Sequence, residues 1–314
     1  MLNQMQAVNP PLVKAALTRR IPSTGAAFTV MLIATAFWGA GTVLSKASLD
    51  TFPPMTLIAV SLGASCLSLW MALLITGGYK ALRWRDARFG LPGILDPGMS
   101  YLIGTLGLSL TSANNTAFIS ATEPVLVFLL AWLILRERIK RNMMWLIGLV
   151  ILGTVLISSA EVGPDQAVGH IGGDTLVLVA TLCSALYTIL TRNSLSKLSP
   201  LAVAALQQSF GLVFVLALVP IELAEHSTAL AQLTLSDWLF ACFIGVTQFA
   251  TAFWLYLIAL QRISATQASL MLTATPLFGI GLSVLILGES LVMMQIIGGG
   301  LILAAILRIR LSAE

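Results

Sequence analysis

Residues 113–138 read ANNTAFISATEPVLVFLLAWLILRER, a stretch long enough to cross a bilayer that carries a carboxylate, Glu123, directly before Pro124. A charge at the centre of a membrane helix costs about 2.5–3.5 kcal/mol on insertion scales, so it is rare there without a role. The proline removes a backbone donor and is expected to kink the helix beside the carboxylate. This stretch is therefore the first candidate for a functional site.

The same stretch recurs later in the chain. Residues 265–290 read ATQASLMLTATPLFGIGLSVLILGES, and a constant offset of 152 pairs Pro124 with Pro276 without a gap. Further upstream, an offset of 146 pairs Pro54 with Pro200. A membrane helix that occurs twice, with a proline at the same place in each copy, is typical of transporters built from internal repeats.

The composition excludes a water-soluble globular protein. Charged residues make up 10% of the 314 residues and hydrophobic residues 58%, with a mean hydropathy of +0.95, whereas a soluble domain has about 25% charged residues. No basic helix with interleaved aromatic residues points to a nucleic acid. The three cysteines and two histidines have no metal-ligand spacing, so neither a metal nor another cofactor is expected.

Ten apolar spans can be counted, each near the roughly 20 residues that cross a bilayer as a helix. They cover residues 26–46, 54–76, 89–110, 114–135, 143–160, 174–191, 200–221, 238–260, 265–287 and 291–309. With the N-terminus in the cytoplasm, every Lys and Arg except Lys46 falls in a segment on the cytoplasmic side. Because these residues are enriched in cytoplasmic loops, their distribution supports ten spans with both termini inside.

The predicted fold is an all-α membrane protein with ten transmembrane helices, arranged as two inverted five-helix repeats. The repeats are inverted because each contains an odd number of spans. The predicted parts are a cytoplasmic N-terminal tail at 1–25, a first repeat at 26–160, an outer linker at 161–173 and a second repeat at 174–310.

Several short motifs, in this duplicated order, resemble the EamA family of the drug/metabolite transporter superfamily. They are Phe37-Trp38-Gly39, the run from Thr111-Ser112-Ala113 to Glu123-Pro124, Arg136-Glu137-Arg138, the run from Ser264-Ala265 to Pro276, and Gly288-Glu289. Arg136 departs from the family's usual glycine. The resemblance covers nearly all of the chain after residue 25. It implies a carrier of small metabolites, often amino acids and often moved outward, with a central cavity between spans 1, 3, 4, 6, 8 and 9.

Two carboxylates inside apolar spans are the strongest candidates for a substrate site. Helical spacing puts Ser120 on the same face as Glu123, and a polar stripe on a membrane helix should face protein or water. Asp96, followed by Pro97, lies where the offset of 152 places Gln248 in the other copy. The structural alternatives stay open: a hydrogen bond beside the kink for Glu123, and a helix cap near the interface for Asp96.

Aromatic residues inside the spans complete the predicted substrate site. Trp38 lies in mid-span, away from the headgroup level where tryptophan is enriched, and could stack on a substrate or simply pack. Tyr101 and Tyr187 each bring a hydroxyl into an apolar span, where it needs a partner. Pro124 and Pro276 are predicted to shape the two gates of the carrier.

These features favour a secondary transporter that exports small metabolites such as amino acids across the cytoplasmic (inner) membrane by alternating access. The chain has no GxxxxGK[ST] phosphate-binding loop, so direct use of ATP is not expected. Its expected partners are the metabolite and the lipid bilayer, with protons and a second copy of the chain left open.

Two other classes of function stay in competition at this stage. One is an intramembrane enzyme that uses Asp96 and Glu123 as a catalytic pair, although no nucleophile with a histidine accompanies them. The other is a channel or a membrane scaffold, although a channel usually needs a ring of like groups around an axis. The duplication favours the transporter over both, so the protein is not expected to be an enzyme.

Overall fold

The computed structural model describes residues 23–49, 51–110, 119–120, 122–136, 141–159, 171–230, 233–282, 284–285 and 292–311. Throughout these residues the chain is helical, with no strand. Residues 1–22 of the predicted N-terminal tail, residues 161–170 of the outer linker and the motif residues 111–118, 121, 137–138 and 288–289 lie outside the described residues.

Thirteen α-helices are present in the described ranges. They are α1 (Thr24–Ser48), α2 (Pro54–Ile75), α3 (Ser100–Leu110), α4 (Glu123–Ile134), α5 (Arg141–Ser159), α6 (Ile171–Leu195), α7 (Pro200–Leu216), α8 (Val219–Leu230), α9 (Leu235–Ile244), α10 (Ala252–Leu260), α11 (Ala265–Leu272), α12 (Thr275–Leu282) and α13 (Met293–Leu311). Two 3₁₀ segments, Gly78–Ala81 and Trp84–Gly90, precede a first π-helical segment, Ile94–Met99; a second π-helical segment, Gly245–Thr251, joins α9 to α10.

Five helical stretches among the described residues are long and apolar enough to cross a membrane. They are Thr24–Ser45, Pro54–Ile75, Ile171–Leu195, Pro200–Ala224 and Leu235–Leu260. Shorter apolar helices occur within α4, α5 and α13. The protein is therefore an all-helical, multi-pass membrane protein, while the count of ten spans, the inverted repeat and the cytoplasmic termini stay predictions.

The third and eighth predicted spans each contain a π-helical segment, and the two segments are aligned by the sequence offset of 152. The third span contains the first π segment followed by α3, and the eighth contains α9, the second π segment and α10. An offset of 152 places Asp96 of the first π segment on Gln248 of the second. The continuous third helix expected over 89–110 is thus replaced by 3₁₀, π and α segments in succession.

The fourth and ninth predicted spans are broken just before their prolines. Helix α4 begins at Glu123 after a turn at Thr122, and α12 begins at Thr275 after α11 has ended at Leu272. Pro124 and Pro276 therefore lie in the first turn of a new helix, where a missing N–H leaves no hydrogen bond unmade. The expected kink is, in both spans, a helix break.

The helices of the two predicted halves pack across one another. Helix α1 contacts α10 and α12, and α6 contacts α3 and α4, so the first helix of each half packs on the third and fourth spans of the other. Helix α2 packs on α7, and α4 on α11. Packing between the two halves thus brings the third, fourth, eighth and ninth predicted spans together around one centre.

Helices α5 and α13 pack on each other beside this centre. They approach each other tightly at Gly153 and Gly298, where a Cβ on Gly153 would lie 2.7 Å from the carbonyl oxygen of Gly298. Gly148 and Gly300 on the same helices face open space, with nothing within 4 Å of an added Cβ. The close packing of these two helices therefore depends on the missing side chains of Gly153 and Gly298.

Candidate functional site

A cavity of about 610 Å³ lies between the broken and interrupted helices, a size that suits a small metabolite. Residues of α1, α3, α4, α6, α10, α11, α12 and the first π segment line it, with Thr154 from α5. Six of the seven predicted substrate-binding residues and both predicted gate prolines are among the lining residues: Trp38, Asp96, Tyr101, Ser120, Glu123, Tyr187, Pro124 and Pro276.

Asp96 reaches the cavity because the helix is interrupted at that residue. Its backbone is extended, with φ −146° and ψ 121°, inside the first π segment. Gly93 allows this segment to lie directly on α7, since a Cβ there would collide with the backbone of Gln207. The Asp96 side chain is only 8% exposed, so this carboxyl group is held inside the protein and is not an interfacial helix cap.

One serine hydroxyl lies between the two carboxyl groups. Ser184 Oγ is 2.8 Å from Glu123 Oε1 and 3.2 Å from Asp96 Oδ2. The other carboxyl oxygen of Asp96, Oδ1, accepts a hydrogen bond of 2.8 Å from Ser100 Oγ. The two acids therefore belong to one hydrogen-bonded group that joins the first π segment, α4 and α6.

Aromatic rings form one wall of the cavity. The Trp38 ring lies edge-on to Phe253 and Tyr256, with centroid distances of 4.9 and 5.5 Å, and Tyr187 lies 6.0 Å from Phe253. The indole N–H of Trp38 is buried and makes no hydrogen bond within the part of the chain that the structure describes. Trp38 therefore packs into this wall of the cavity with its indole N–H buried.

A buried polar layer lies between the cavity and the Arg192 end of α6. Tyr187 donates to Gln207 Oε1 at 3.0 Å, and Gln207 Nε2 donates to Thr191 Oγ1 at 2.9 Å. The hydroxyls of Thr188 and Tyr256 lie 2.9 Å apart. Each of these five side chains is at most 2% exposed. The layer closes the cavity on the side that the charge distribution predicts to be cytoplasmic.

Gln248 is the predicted substrate residue that is not among the residues lining the cavity. Its Oε1 accepts a hydrogen bond of 2.8 Å from Ser45 Oγ, and the side chain is 4% exposed. Gly41 of α1 makes room for it, because a Cβ at Gly41 would lie 2.5 Å from Gln248 Cβ. The side chain therefore joins α1 to the second π segment, a structural contact.

Ser184 is the residue that the sequence reasoning missed. A signal for it was present, since Ser184, Tyr187, Thr188 and Thr191 follow one another at helical spacing on one face of α6. Polar side chains aligned in this way inside an apolar span should face protein or water. The stripe would have indicated which face of α6 looks toward the centre.

The lining of the cavity is acidic without a basic counterpart. Among the described lining residues there are two carboxyl groups, eleven hydroxyls of Ser and Thr, three of Tyr, and no Lys, Arg or His. The searched part of the chain contains no group of three or more His, Cys, Asp or Glu that could hold a metal ion. Such a lining can accept a cationic or hydrogen-bond-donating group at the carboxyl end and apolar atoms along the rings.

Comparison with known proteins gives one family. The model of the EamA-like transporter family matches the chain twice, at residues 25–159 and 171–311. These two ranges together span nearly all of the described helices.

Individual relatives agree with this match. A protein of Archaeoglobus fulgidus named as an uncharacterized transporter is 26% identical over 279 residues, covering 88% of this chain and 96% of the relative. The transporter YetK of Bacillus subtilis, also named as uncharacterized, is 23% identical, with 92% and 88% covered. A solved crystal structure superposes with a TM-score of 0.74 at 17% identity, covering 93% of this chain and 98% of that one. The last likeness concerns the fold alone.

Proposed function

The chain belongs to the EamA-like transporter family and is a membrane transporter, and from this premise we propose that it exports small metabolites that carry an amine, such as amino acids. The transport would be secondary, by alternating access across the cytoplasmic membrane and without direct use of ATP.

The observation that carries the proposal is the acidic cavity. Asp96 and Glu123 meet at Ser184, and the described lining offers no basic side chain to neutralise them. Isolated charges inside a membrane protein are costly unless they are paired. An ammonium group on the substrate supplies the missing cation, and the ring wall at Trp38 and Tyr256 supports it through cation–π contacts.

The remaining groups suit the rest of an amino acid. Hydroxyl groups of the lining, such as those of Thr42 and Ser120, can donate to a carboxylate or another acceptor of the substrate. Apolar side chains such as Phe253, Val177 and Leu272 also line the cavity. A molecule with an amine, an acceptor and an apolar part would thus find a partner for each.

Alternating access is supported by the closed layer and the helix breaks. Tyr187, Gln207 and Thr191 seal one side of the cavity with hydrogen bonds that can form and break without exposing a charge. The turns before Pro124 and Pro276 divide two facing spans into segments that can tilt separately. Together with the transporter relatives, this arrangement favours transport over catalysis by the two acids.

Counterflow in liposomes tests the proposal. The purified protein is reconstituted with trapped unlabelled compound, and uptake of the labelled compound is followed for the twenty amino acids and their decarboxylated amines. We expect counterflow for at least one compound that carries an amine. It should be abolished by Glu123→Gln and retained by Ser68→Ala, a serine of α2 whose hydroxyl donates to Ser65 O within its own helix. Counterflow by no compound, or equal counterflow in Glu123→Gln, contradicts the proposal.

A further inference from the structure

The hydroxyl of Ser184 faces more acceptors than it can serve. It lies within hydrogen-bond distance of Glu123 Oε1 and of Asp96 Oδ2. A serine has one hydroxyl hydrogen, and an ionised carboxylate can only accept. If both acids were ionised, one of the two contacts would set a serine oxygen against a carboxylate oxygen with no hydrogen between them.

A single added proton satisfies both contacts. When either carboxyl group is protonated, it donates to Ser184 Oγ, and Ser184 donates to the other carboxylate. The two hydrogen bonds then run in the same direction, with donation either from Asp96 through Ser184 to Glu123 or from Glu123 through Ser184 to Asp96. Two carboxyl groups that share a buried site also commonly hold one proton between them because of the repulsion between two like charges at close range.

Among the residues that the structure describes, no basic group beside the pair supplies a neutralising charge. The titratable groups near Asp96 and Glu123 are Tyr101 on α3, Cys183 and Tyr187 on α6, and Tyr256 on α10. All four are neutral when they carry their protons. The nearest described cation on α6, Arg192, lies beyond Tyr256 and donates to Ile263 O at 3.2 Å.

The second half of the molecule does not repeat the site. The offset of 152 aligns Gln248 with Asp96 and Thr275 with Glu123, so neither acid recurs in the second half. Gln248 is already bonded to Ser45, and Thr275 Oγ1 donates to Leu272 O at 2.6 Å. The described centre of the protein therefore holds one acidic unit, made of Asp96, Ser184 and Glu123.

We propose that Asp96, Ser184 and Glu123 hold one shared proton when the cavity is empty and release it when an ammonium group binds. The exchange step rests on the proposed function, whereas the shared proton does not. In the empty site two carboxyl groups and one proton carry a single negative charge. In the loaded site two carboxylates and one ammonium carry the same charge, and the displaced proton leaves to water.

Equal charge in the two forms has a consequence for transport. A carrier whose empty and loaded sites carry the same charge moves no net charge when one ammonium leaves and one proton returns. The exchange is therefore one for one, and it is electroneutral for a substrate whose only charge is its ammonium group. Ser184 acts as the positioning residue, because it alone of the three contacts both partners.

Infrared spectroscopy of the protein in lipid tests the shared proton without any substrate. The carbonyl band of a protonated carboxyl group is separate from the carboxylate bands, so its amount can be followed as pH is raised. We expect one such group at neutral pH in the wild type and none in the double variant Asp96→Asn, Glu123→Gln. Ser184→Ala should move the band and its titration midpoint, while Ser184→Thr, which keeps a hydroxyl, and the remote Ser68→Ala should not.

Two infrared results would overturn the shared proton. One is a wild-type spectrum at neutral pH equal to that of the double variant, which means that both acids are ionised. The other is a band in Ser184→Ala that is unchanged in position and midpoint, which means that the serine does not join the acids.

Proton flux tests the exchange. Liposomes with a trapped pH dye are given tyramine, or the amine that gives the strongest counterflow, and protein-free liposomes correct for diffusion of the neutral base. We expect one proton to move per amine, opposite to it, at a rate that does not change when a membrane potential is imposed. Amine flux without proton flux overturns the exchange while leaving the proposed function in place. Failure of every amine to move overturns the function and the exchange together, and the infrared result then stands alone.

Discussion

Asp96 and Gln248 lie at equivalent steps of the two π-helical segments, yet Asp96 lines the cavity and Gln248 bonds to Ser45. Both spans thus contain a π-helical segment, but only the first has a break in its helical backbone, at Asp96, and only the first brings an acid to the cavity. A scaffold with matching π-helical segments can carry a site in which only one half is acidic. The difference lies in one side chain and in the helix that packs on it.

The first prediction concerns this pair. Asp96→Asn is expected to raise the Km for a transported amine about tenfold or more, because the amide keeps the size of the side chain but not its charge, and hydrogen bonds to charged groups contribute about 1.5–3 kcal/mol. Gln248→Met should leave Km near its wild-type value and lower thermal stability, since it leaves the Ser45 hydroxyl without its acceptor. Counterflow and thermal unfolding measure the two effects. The reverse pattern would place the substrate at Gln248.

A second prediction concerns the two helix breaks. Pro124→Ala and Pro276→Ala are expected to lower the maximal transport rate several-fold in a folded protein. Alanine has the N–H that proline lacks, so the preceding helical turn could continue through the break. Pro200→Ala is the matched control, because Pro200 starts α7 away from the cavity. Wild-type rates in both cavity variants would remove the breaks from the mechanism.

Glycine packing gives a third prediction. Gly153→Val and Gly298→Val should each destabilise the protein, because the added side chain meets the backbone of the facing helix. Overpacking of this kind typically costs about 1–3 kcal/mol. Gly148→Val and Gly300→Val lie on the same two helices with open space around them and should unfold near the wild-type temperature. Equal melting temperatures in all four variants would contradict the α5–α13 contact.

The fourth prediction is the topology. In a chain without its native cysteines, new cysteines at Asp165 and Ser227 should react from outside the cell with an impermeant thiol reagent, while one at Lys140 should react only after the membrane is opened. The reason is the confinement of Lys and Arg, except Lys46, to the predicted inner segments. Protection of either outer position in intact cells would overturn the arrangement of ten spans.

Much of the scaffold follows from local properties of the sequence. Length and hydropathy predicted a helical membrane protein, because backbone groups in lipid must bond within their own helix. The offset of 152 in the sequence pairs Pro124 with Pro276 and Asp96 with Gln248. The 3₁₀, π and α segments within the spans could not be predicted from the sequence, since hydropathy does not distinguish one continuous α-helix from several shorter segments.

The candidate site, like the scaffold, was predicted from the sequence only in part. The sequence by itself determined that Asp96, Glu123, Trp38 and Tyr187 would be costly or conspicuous inside a membrane, because burial cost is a property of the single residue and its span. Only the tertiary structure decided which of them meet. Ser184 joins Glu123 across 61 residues of chain, and Ser45 takes Gln248 out of the cavity across 203. Such partners are set by the packing of α6 and α1 on distant helices, and no periodicity within one span specifies that packing.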